Sequence, residues 1–378
     1  MKNLVICSNE SIVSGAFITG IGEVSDSLAI ALSKNYNVTV VCPDGNGRIA
    51  NFSNTLNELF DGVRCCTFLG VRFLLIATKE YEVSAIEFAK PDILLNFGDI
   101  DLINRLENRP NRAVCVLDFV NEGEDIADGL SQYDEIITVS NGYAQTLLSR
   151  RDSLSSFLQT KNFRGITNGI LSGIFSPEKG VMLPVKYSHD NLGGKAVCKK
   201  RLCEQYGLPY DRYIAVMMGR LIETKGVDGV IDNIRNIYEN GGYTLIIGNG
   251  DEKYMSRLDK MKRSDGVLWL KNKVSPPGII PILAGADFLL YPSLMEACGL
   301  MPMTACRYGT IPVTTLNGGL ADNMNDDIAI IISNMNEAPS LMKDLYFDND
   351  RLIHKQKEAM KTDFSWRTRK QGYLEVLQ

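Results

Sequence analysis

The sequence predicts an α/β protein built from two Rossmann-like domains, and three observations lead there. Apolar runs of four to seven residues alternate with longer amphipathic stretches almost from end to end, the pattern of βαβ units and parallel sheets. The pattern restarts after 175–192, a stretch rich in Gly, Pro and polar residues that reads as a linker. At 378 residues the chain is also longer than one ordinary core organises. The expected division is a first domain over 1–180, a second over 181–362, and a C-terminal helix over 363–378 that packs back on the first domain.

Taken in order, each strand of the first domain is a short apolar run bounded by turn or helix signals: 3–7, 37–42, 72–76, 93–96, 113–117, 135–139 and 165–167, with helices over 22–34 and 141–150 between them. The second domain repeats the pattern with strands at 213–218, 243–247, 267–270, 288–291, 311–314 and 328–331. Trp366, Tyr373 and Leu377 recur at helical spacing, which gives the terminal helix one apolar face.

Composition narrows the function classes. The chain is 45% hydrophobic and 22% charged, and no window approaches the 18 uncharged apolar residues of a membrane span. Lys2 and the apolar run behind it resemble the start of a secretion signal, but polar residues follow by Ser8, so the segment reads as a buried first strand. The nine cysteines are scattered without a CxxC pair, and Cys7, Cys42 and Cys115 fall in strand runs. Reduced thiols and a cytoplasmic location are therefore expected, and a zinc site is not. With only His189 and His354 present, a serine triad or a histidine-rich metal site has little to work with. A net charge of −5 argues against nonspecific nucleic-acid binding, and the basic triplet Lys199, Lys200, Arg201 reads as a solvated helix face.

Chemistry concentrates in the second domain, at the carboxyl ends of predicted strands, where an open parallel sheet binds its ligands. After strand 288–291 comes a run with a lone acid, Glu296, and a helix start whose amides, from Ala297 to Leu300, are suited to an anion. Glu296 is suited to sugar hydroxyls. Strand 213–218 runs into GRLIETKG, which puts Arg220 and Lys225 at the first strand end; alone they read as surface cations, and beside helix starts they form an anion site for a nucleotide diphosphate. Strand 243–247 ends in the turn GNGD on the same sheet edge. In the first domain, Gly20, Ile21, Gly22 and Glu23 open a helix without the GxGxxG dinucleotide fingerprint, so a plain strand-to-helix connection and a phosphate or sugar contact both remain open.

The second half resembles the bacterial glycogen synthase and starch synthase family of glycosyltransferases. The matching runs are KYSHDNLGGKAVCKKRLCEQYGLP at 186–209, GRLIETKGVDGV at 219–230, AGADFLLYPSLMEACGL at 284–300, RYGTIPV at 307–313 and GGLADN at 318–323. The first half offers TGIGEV at 19–24, ITVSNGYAQTLL at 137–148 and GITNGI at 165–170, and FSW at 364–366 fits the family's end. The resemblance implies two facing Rossmann-like domains (the GT-B fold) and transfer of a hexose, glucose being expected, from ADP-glucose or UDP-glucose to a glucan or other saccharide. It implies retention of configuration and no metal or other cofactor. By position, Arg220 and Lys225 hold the diphosphate, Glu296 binds the donor sugar, and the amides of Cys298, Gly299 and Leu300 support it. Gly20, Gly22, Gly219, Thr315, Gly318, Gly319 and Leu320 line the donor site. The family's N-terminal lysine is not found, since 17–20 read FITG, and its mid-domain histidine is replaced in VCVLDFVNEG at 114–123 by Leu117 or Asp118. Asp118, Glu23 and Asn168 are the sugar-proximal candidates of that half. The expected partners are a nucleotide sugar and a saccharide acceptor, with no nucleic acid and no membrane span. Two other readings stay open: an epimerase of the same fold, needing acid and base groups such as Asp118, Glu23 or His189 near the sugar, and a noncatalytic nucleotide-sugar-binding protein.

Overall fold

Uninterrupted apolar runs can be strands only where both sheet faces are covered, and the computed structural model builds two such sheets. It describes residues 1–16, 20–45, 57–120, 126–171, 176–180, 182–271 and 276–378. Two units result, one from Met1–Leu171 with Phe364–Gln378, the other from Ser172–Asp363.

In the first unit the elements are β1 (Asn3–Cys7), α1 (Ile21–Leu32), β2 (Asn37–Pro43), β3 (Asn57–Phe60), β4 (Val63–Phe68), β5 (Val71–Ile76), α2 (Glu82–Ala89), β6 (Ile93–Asn96), α3 (Leu102–Arg105), β7 (Arg112–Leu117), α4 (Ala127–Leu130), β8 (Glu135–Thr138), α5 (Asn141–Leu148), α6 (Ser153–Leu158) and β9 (Arg164–Gly165). The sheet order is β3-β4-β5-β2-β1-β6-β7-β8-β9, parallel except for the antiparallel β3–β4–β5 edge. Sequence order reverses between β1 and β6, so the switch point of this sheet lies there.

The second unit holds α7 (Gly193–Tyr206), β10 (Tyr213–Met218), α8 (Val227–Glu239), β11 (Gly242–Ile247), α9 (Glu252–Asp259), β12 (Val267–Leu270), α10 (Pro276–Gly285), β13 (Phe288–Tyr291), α11 (Leu300–Arg307), β14 (Ile311–Thr314), β15 (Ile330–Ile331), α12 (Ala338–Phe347) and α13 (Asn349–Lys361). Its six strands are all parallel in the order β12-β11-β10-β13-β14-β15, a doubly wound sheet. Ile214, Val216, Leu245 and Leu289 are wholly buried at its centre. The switch point falls between β10 and β13, and this decides which loops can share a ligand.

Several expectations are corrected. The division falls at Leu171/Ser172, ahead of residue 180, because the following segment packs on the second unit: Glu178 pairs with Arg307 at 2.5 Å, and the Tyr187 hydroxyl donates to the Tyr308 carbonyl at 2.9 Å. The terminal helix packs back on the first domain as expected. Helix α14 (Trp366–Val376) belongs to the first unit, with the Trp366 indole donating to Ser27 Oγ at 2.7 Å. Lys199 is not on a solvated face: it is buried, 2.8 Å from the Asp287 carboxylate and 2.9 Å from the Tyr346 hydroxyl. One turn earlier, the Lys195 ammonium donates to the carbonyls of Ala284 (3.2 Å), Ala286 (2.9 Å) and Tyr308 (3.1 Å) and to the Thr310 hydroxyl (2.9 Å). Burial pulls its pKa down to about 8. Lys199, read as a solvent group, and Lys195 thus tie α7 to the sheet. No helix among the described residues is long and apolar enough to cross a membrane.

Candidate active site

Strand β10 ends at Met218, and Gly219 leaves the extended path at φ 133°. Arg220 follows, exposed, and its guanidinium has no hydrogen bond or ion pair among the described residues. An unpaired guanidinium keeps all five N–H donors available for an anion. Leu221 then bridges to Gly250 in the turn after β11, and the Gly219 amide donates to the Ile247 carbonyl at 3.0 Å, so the backbone is anchored on either side of Arg220.

The next four residues bring a second cation to the acid. Glu223–Lys225 form a single 3₁₀ turn closed by Gly226, whose φ of 68° is left-handed. A side chain at Gly226 would place its Cβ 2.1 Å from the Pro292 carbonyl oxygen, so only glycine allows the loop after β10 to close on the loop after β13. The two loops are joined by the Leu294 amide donating to the Thr224 carbonyl at 2.8 Å. As a result Lys225 Nζ lies 2.6 Å from Glu296 Oε2, with Lys225 26% and Glu296 12% exposed. The Tyr291 hydroxyl donates to the same oxygen at 2.7 Å, and Ser293 Oγ lies 3.5 Å from it. Glu296 Oε1 accepts nothing among the described residues.

The loop after β14 holds this arrangement from behind. Thr315 Oγ1 and Asn317 Nδ2 donate to the Ser293 carbonyl at 2.7 and 3.0 Å, and the Gly319 amide donates to the Glu296 carbonyl at 2.9 Å. Gly318, at φ 56°, sits where a Cβ would be 2.2 Å from that same carbonyl oxygen. Asn323 Nδ2 donates to the Cys298 carbonyl at 2.7 Å. The side chains of Thr315, Leu320 and Cys298 are buried, so they act as scaffold, and the surface they support is backbone.

One sequence expectation about this loop is corrected. Helix α11 starts at Leu300 with Gly299 as its N-cap at φ 89°, so Ala297 and Cys298 precede the helix. Pro302, third in the helix, has no N–H, which leaves Leu300 and Met301 as the first-turn amides without a proline interruption.

The first-unit candidates divide. Gly20 is the N-cap of α1 and Gly22 is buried within it, and burial pushes the Glu23 carboxyl in the same first turn up to about 7. Residues 17–19, where the family's lysine was sought, lie outside the described residues. Asp118 is half-buried and directly follows β7. Asn168 is not a presented sugar ligand: it is 2% exposed, its Oδ1 accepts from the Tyr373 hydroxyl at 2.8 Å, and its carbonyl accepts from Arg369 at 2.8 Å, so it fastens α14. Two groups escaped sequence reasoning. Tyr291 was visible as a hydroxyl-bearing aromatic closing the otherwise aliphatic run FLLY. Asp26 was visible as an acid in α1 without a basic residue nearby; it is 5% exposed, and its Oδ2 accepts from Ser11 Oγ at 2.9 Å and the Val13 amide at 3.0 Å, while Oδ1 is buried without a partner among the described residues. Burial raises its pKa to about 7 against the effect of those donors.

Residues 199–360, most of the second unit, match the family Glycosyl transferases group 1. Most of the second unit is thus similar to a group 1 glycosyltransferase domain. The chain is similar to the glycogen synthase of Desulfatibacillum aliphaticivorans, 33% identical over 218 residues, which are 56% of this chain and 45% of that protein. It is also similar to the glycogen synthase of Thermodesulfovibrio yellowstonii, 31% identical over 273 residues, 69% of this chain and 55% of that protein. The chain thus spans about half the length of these relatives. The catalytic domain of starch synthase IV from Arabidopsis thaliana, solved bound to ADP and acarbose, superposes over 100% of this chain and 98% of that one with a TM-score of 0.85 at 20% identity. That likeness shows the fold, GT-B. The span matched by the family contains every side chain of the Arg220, Lys225, Tyr291 and Glu296 arrangement.

Proposed function

We propose that this chain transfers a hexosyl group, glucose in the first instance, from a nucleotide sugar to a glucan or other saccharide with retention of anomeric configuration. The observation that carries the reading is the switch-point edge of the second unit's sheet, where the Arg220 guanidinium, without a partner among the described residues, and the Lys225–Glu296 pair sit on the two loops that flank the sheet's reversal. In this reading Arg220 and Lys225 hold the diphosphate, and a lysine ammonium with three donors can serve both Glu296 and a phosphate oxygen. Glu296 accepts from a donor-sugar hydroxyl through Oε1. Backbone at Cys298, Gly299, Leu300, Gly318 and Gly319 borders the donor, with Gly20 and Gly22 as donor contacts from the first unit, while Glu23 and Asp118 are its sugar-proximal groups.

When the bond from the anomeric carbon to the phosphate oxygen breaks, negative charge grows on the leaving diphosphate and positive charge on the sugar ring. Cations already in place favour that charge distribution without reorganising. No metal or other cofactor is required in this scheme. The likeness to glycogen synthases, and to a starch synthase domain solved with ADP and acarbose, supports ADP-glucose as the first donor to try; UDP-glucose is the second. A cytoplasmic location is proposed with it, supported by nine cysteines of which none is in a disulfide.

Incubation of the purified protein with each donor, with and without glucan, separates the alternatives. Nucleotide release that depends on acceptor is expected. Conversion of the sugar without nucleotide release would mean an epimerase, and binding with neither outcome a noncatalytic protein.

A further inference from the structure

Lys225 has two claims on it, the Glu296 carboxylate and, in the reading above, the leaving diphosphate. If the ammonium were the only group holding Glu296, the carboxylate would lose its orientation whenever the long, flexible lysine side chain followed the phosphate. Tyr291 is placed to prevent this. It is the last residue of β13, paired in register with Thr314 of β14, and its carbonyl accepts from Thr314 Oγ1 at 2.9 Å. From that anchored position its hydroxyl reaches Glu296 Oε2 at 2.7 Å, and its ring lies 5.5 Å from Lys225 Nζ. Burial, and then the neighbouring Glu296 charge, keep the phenol well above its ordinary pKa, so it stays a donor. Ser293 Oγ, at 3.5 Å, is too distant to do the same work.

We propose that Tyr291 is a positioning residue, holding Glu296 by Oε2 through its hydroxyl so that Oε1 stays available to a sugar hydroxyl while Lys225 serves the diphosphate. The inference rests on the donor-site reading and deepens it. A phenol on a strand end is rigid and neutral; it orients the carboxylate without competing for the anion. Nothing in the arrangement requires Tyr291 to touch substrate.

Four proteins test this: the wild type, Tyr291→Phe, Glu296→Gln and the double variant. Tyr291→Phe keeps the ring and its packing and removes only the donor. Steady-state nucleotide release from ADP-glucose and UDP-glucose with glucan is measured alongside calorimetric affinity for each nucleotide sugar and its nucleoside diphosphate. Tyr291→Phe is expected to lower kcat about tenfold in the wild-type background but less than about twofold beside Glu296→Gln, because its effect travels through that carboxylate. Affinity for the nucleoside diphosphate should be unchanged. An equal loss in both backgrounds, or a wild-type rate for Tyr291→Phe, overturns the proposal. If no donor is turned over by the wild type, the transfer reading falls. The same cycle is then read in affinity for nucleotide sugar relative to diphosphate, where coupling between the two positions supports the positioning role and its absence overturns it.

Discussion

Lys225 and Glu296 are 71 residues apart in sequence and 2.6 Å apart in space, and each is only partly exposed, so neither solvates as freely as a surface ion would. Lys225→Ala is expected to lower transfer about 100-fold, the usual scale for losing one transition-state charge contact, in the same donor assay that serves the wild type. Asp26 gives a prediction of opposite character, about stability. Its folded-state pKa of about 7 lies above the ordinary 3.8, so the folded protein holds a proton that the unfolded chain releases. Stability is therefore highest below the ordinary value and declines as pH rises towards 7, by up to about 4 kcal/mol from this one group. Asp26→Asn should flatten the decline and be more stable than the wild type at pH 8 by denaturant titration, with Glu23 keeping part of the slope. An unchanged pH dependence would contradict the assignment. Arg220, Lys225 and Glu296 were legible because each stands just past an apolar run, where strand ends expose side chains. The commitments of Asn168, Lys199 and Asp26 were not, because their partners lie at positions that only tertiary packing brings near.

Among the elements, loops after β10, β13 and β14 form one interlocked unit, and its joints are glycines. Gly226→Ala would set a Cβ against the Pro292 carbonyl, and Gly318→Ala would do the same to the Glu296 carbonyl. Each is expected to cost about 1–3 kcal/mol of stability and to lower transfer by separating Lys225 from Glu296 or by turning Glu296, as measured by thermal unfolding and by the donor assay. Strand positions in the second unit were readable almost residue for residue, since buried parallel strands announce themselves as unbroken apolar runs. The β3–β4 edge of the first unit was not. Its strands are half-exposed and polar (NELF, VRCCTF), and the β4–β5 turn places Leu69 at φ 48° and Gly70 at φ 82°, a left-handed pair written without the Asn-Gly or Asp-Gly that usually marks such a hairpin. The start of α11 was misread for a related reason, because the apolar run PSLMEACGL hides a left-handed Gly299 that delays the helix.

At the scale of the whole chain, the first unit is completed by the last fifteen residues, Phe364–Gln378. Trp366, Tyr373, Val376 and Leu377 are buried, and Lys370 Nζ donates to the Ala31 carbonyl at 3.1 Å. Trp366→Ala is expected to cost about 3–5 kcal/mol and to lose hydrogen-exchange protection in α1 and in 164–170 before the second unit is affected. Protection lost first in the second unit would contradict this division. The two-unit α/β plan was legible in the restart of the apolar pattern, whereas the junction at Leu171/Ser172 was not, since the segment after it carries few apolar residues and is held by the Glu178–Arg307 pair. The account as a whole stands on Arg220, a cation without a partner among the described residues, at the switch point of the second unit's sheet. Its most direct test is the rate of glucan-dependent nucleotide release by the wild type and by Arg220→Ala, each shown to be folded. The expected result is acceptor-dependent release by the wild type and a loss of about 10²–10³-fold in kcat/KM for the variant. Equal rates for the two proteins would contradict it.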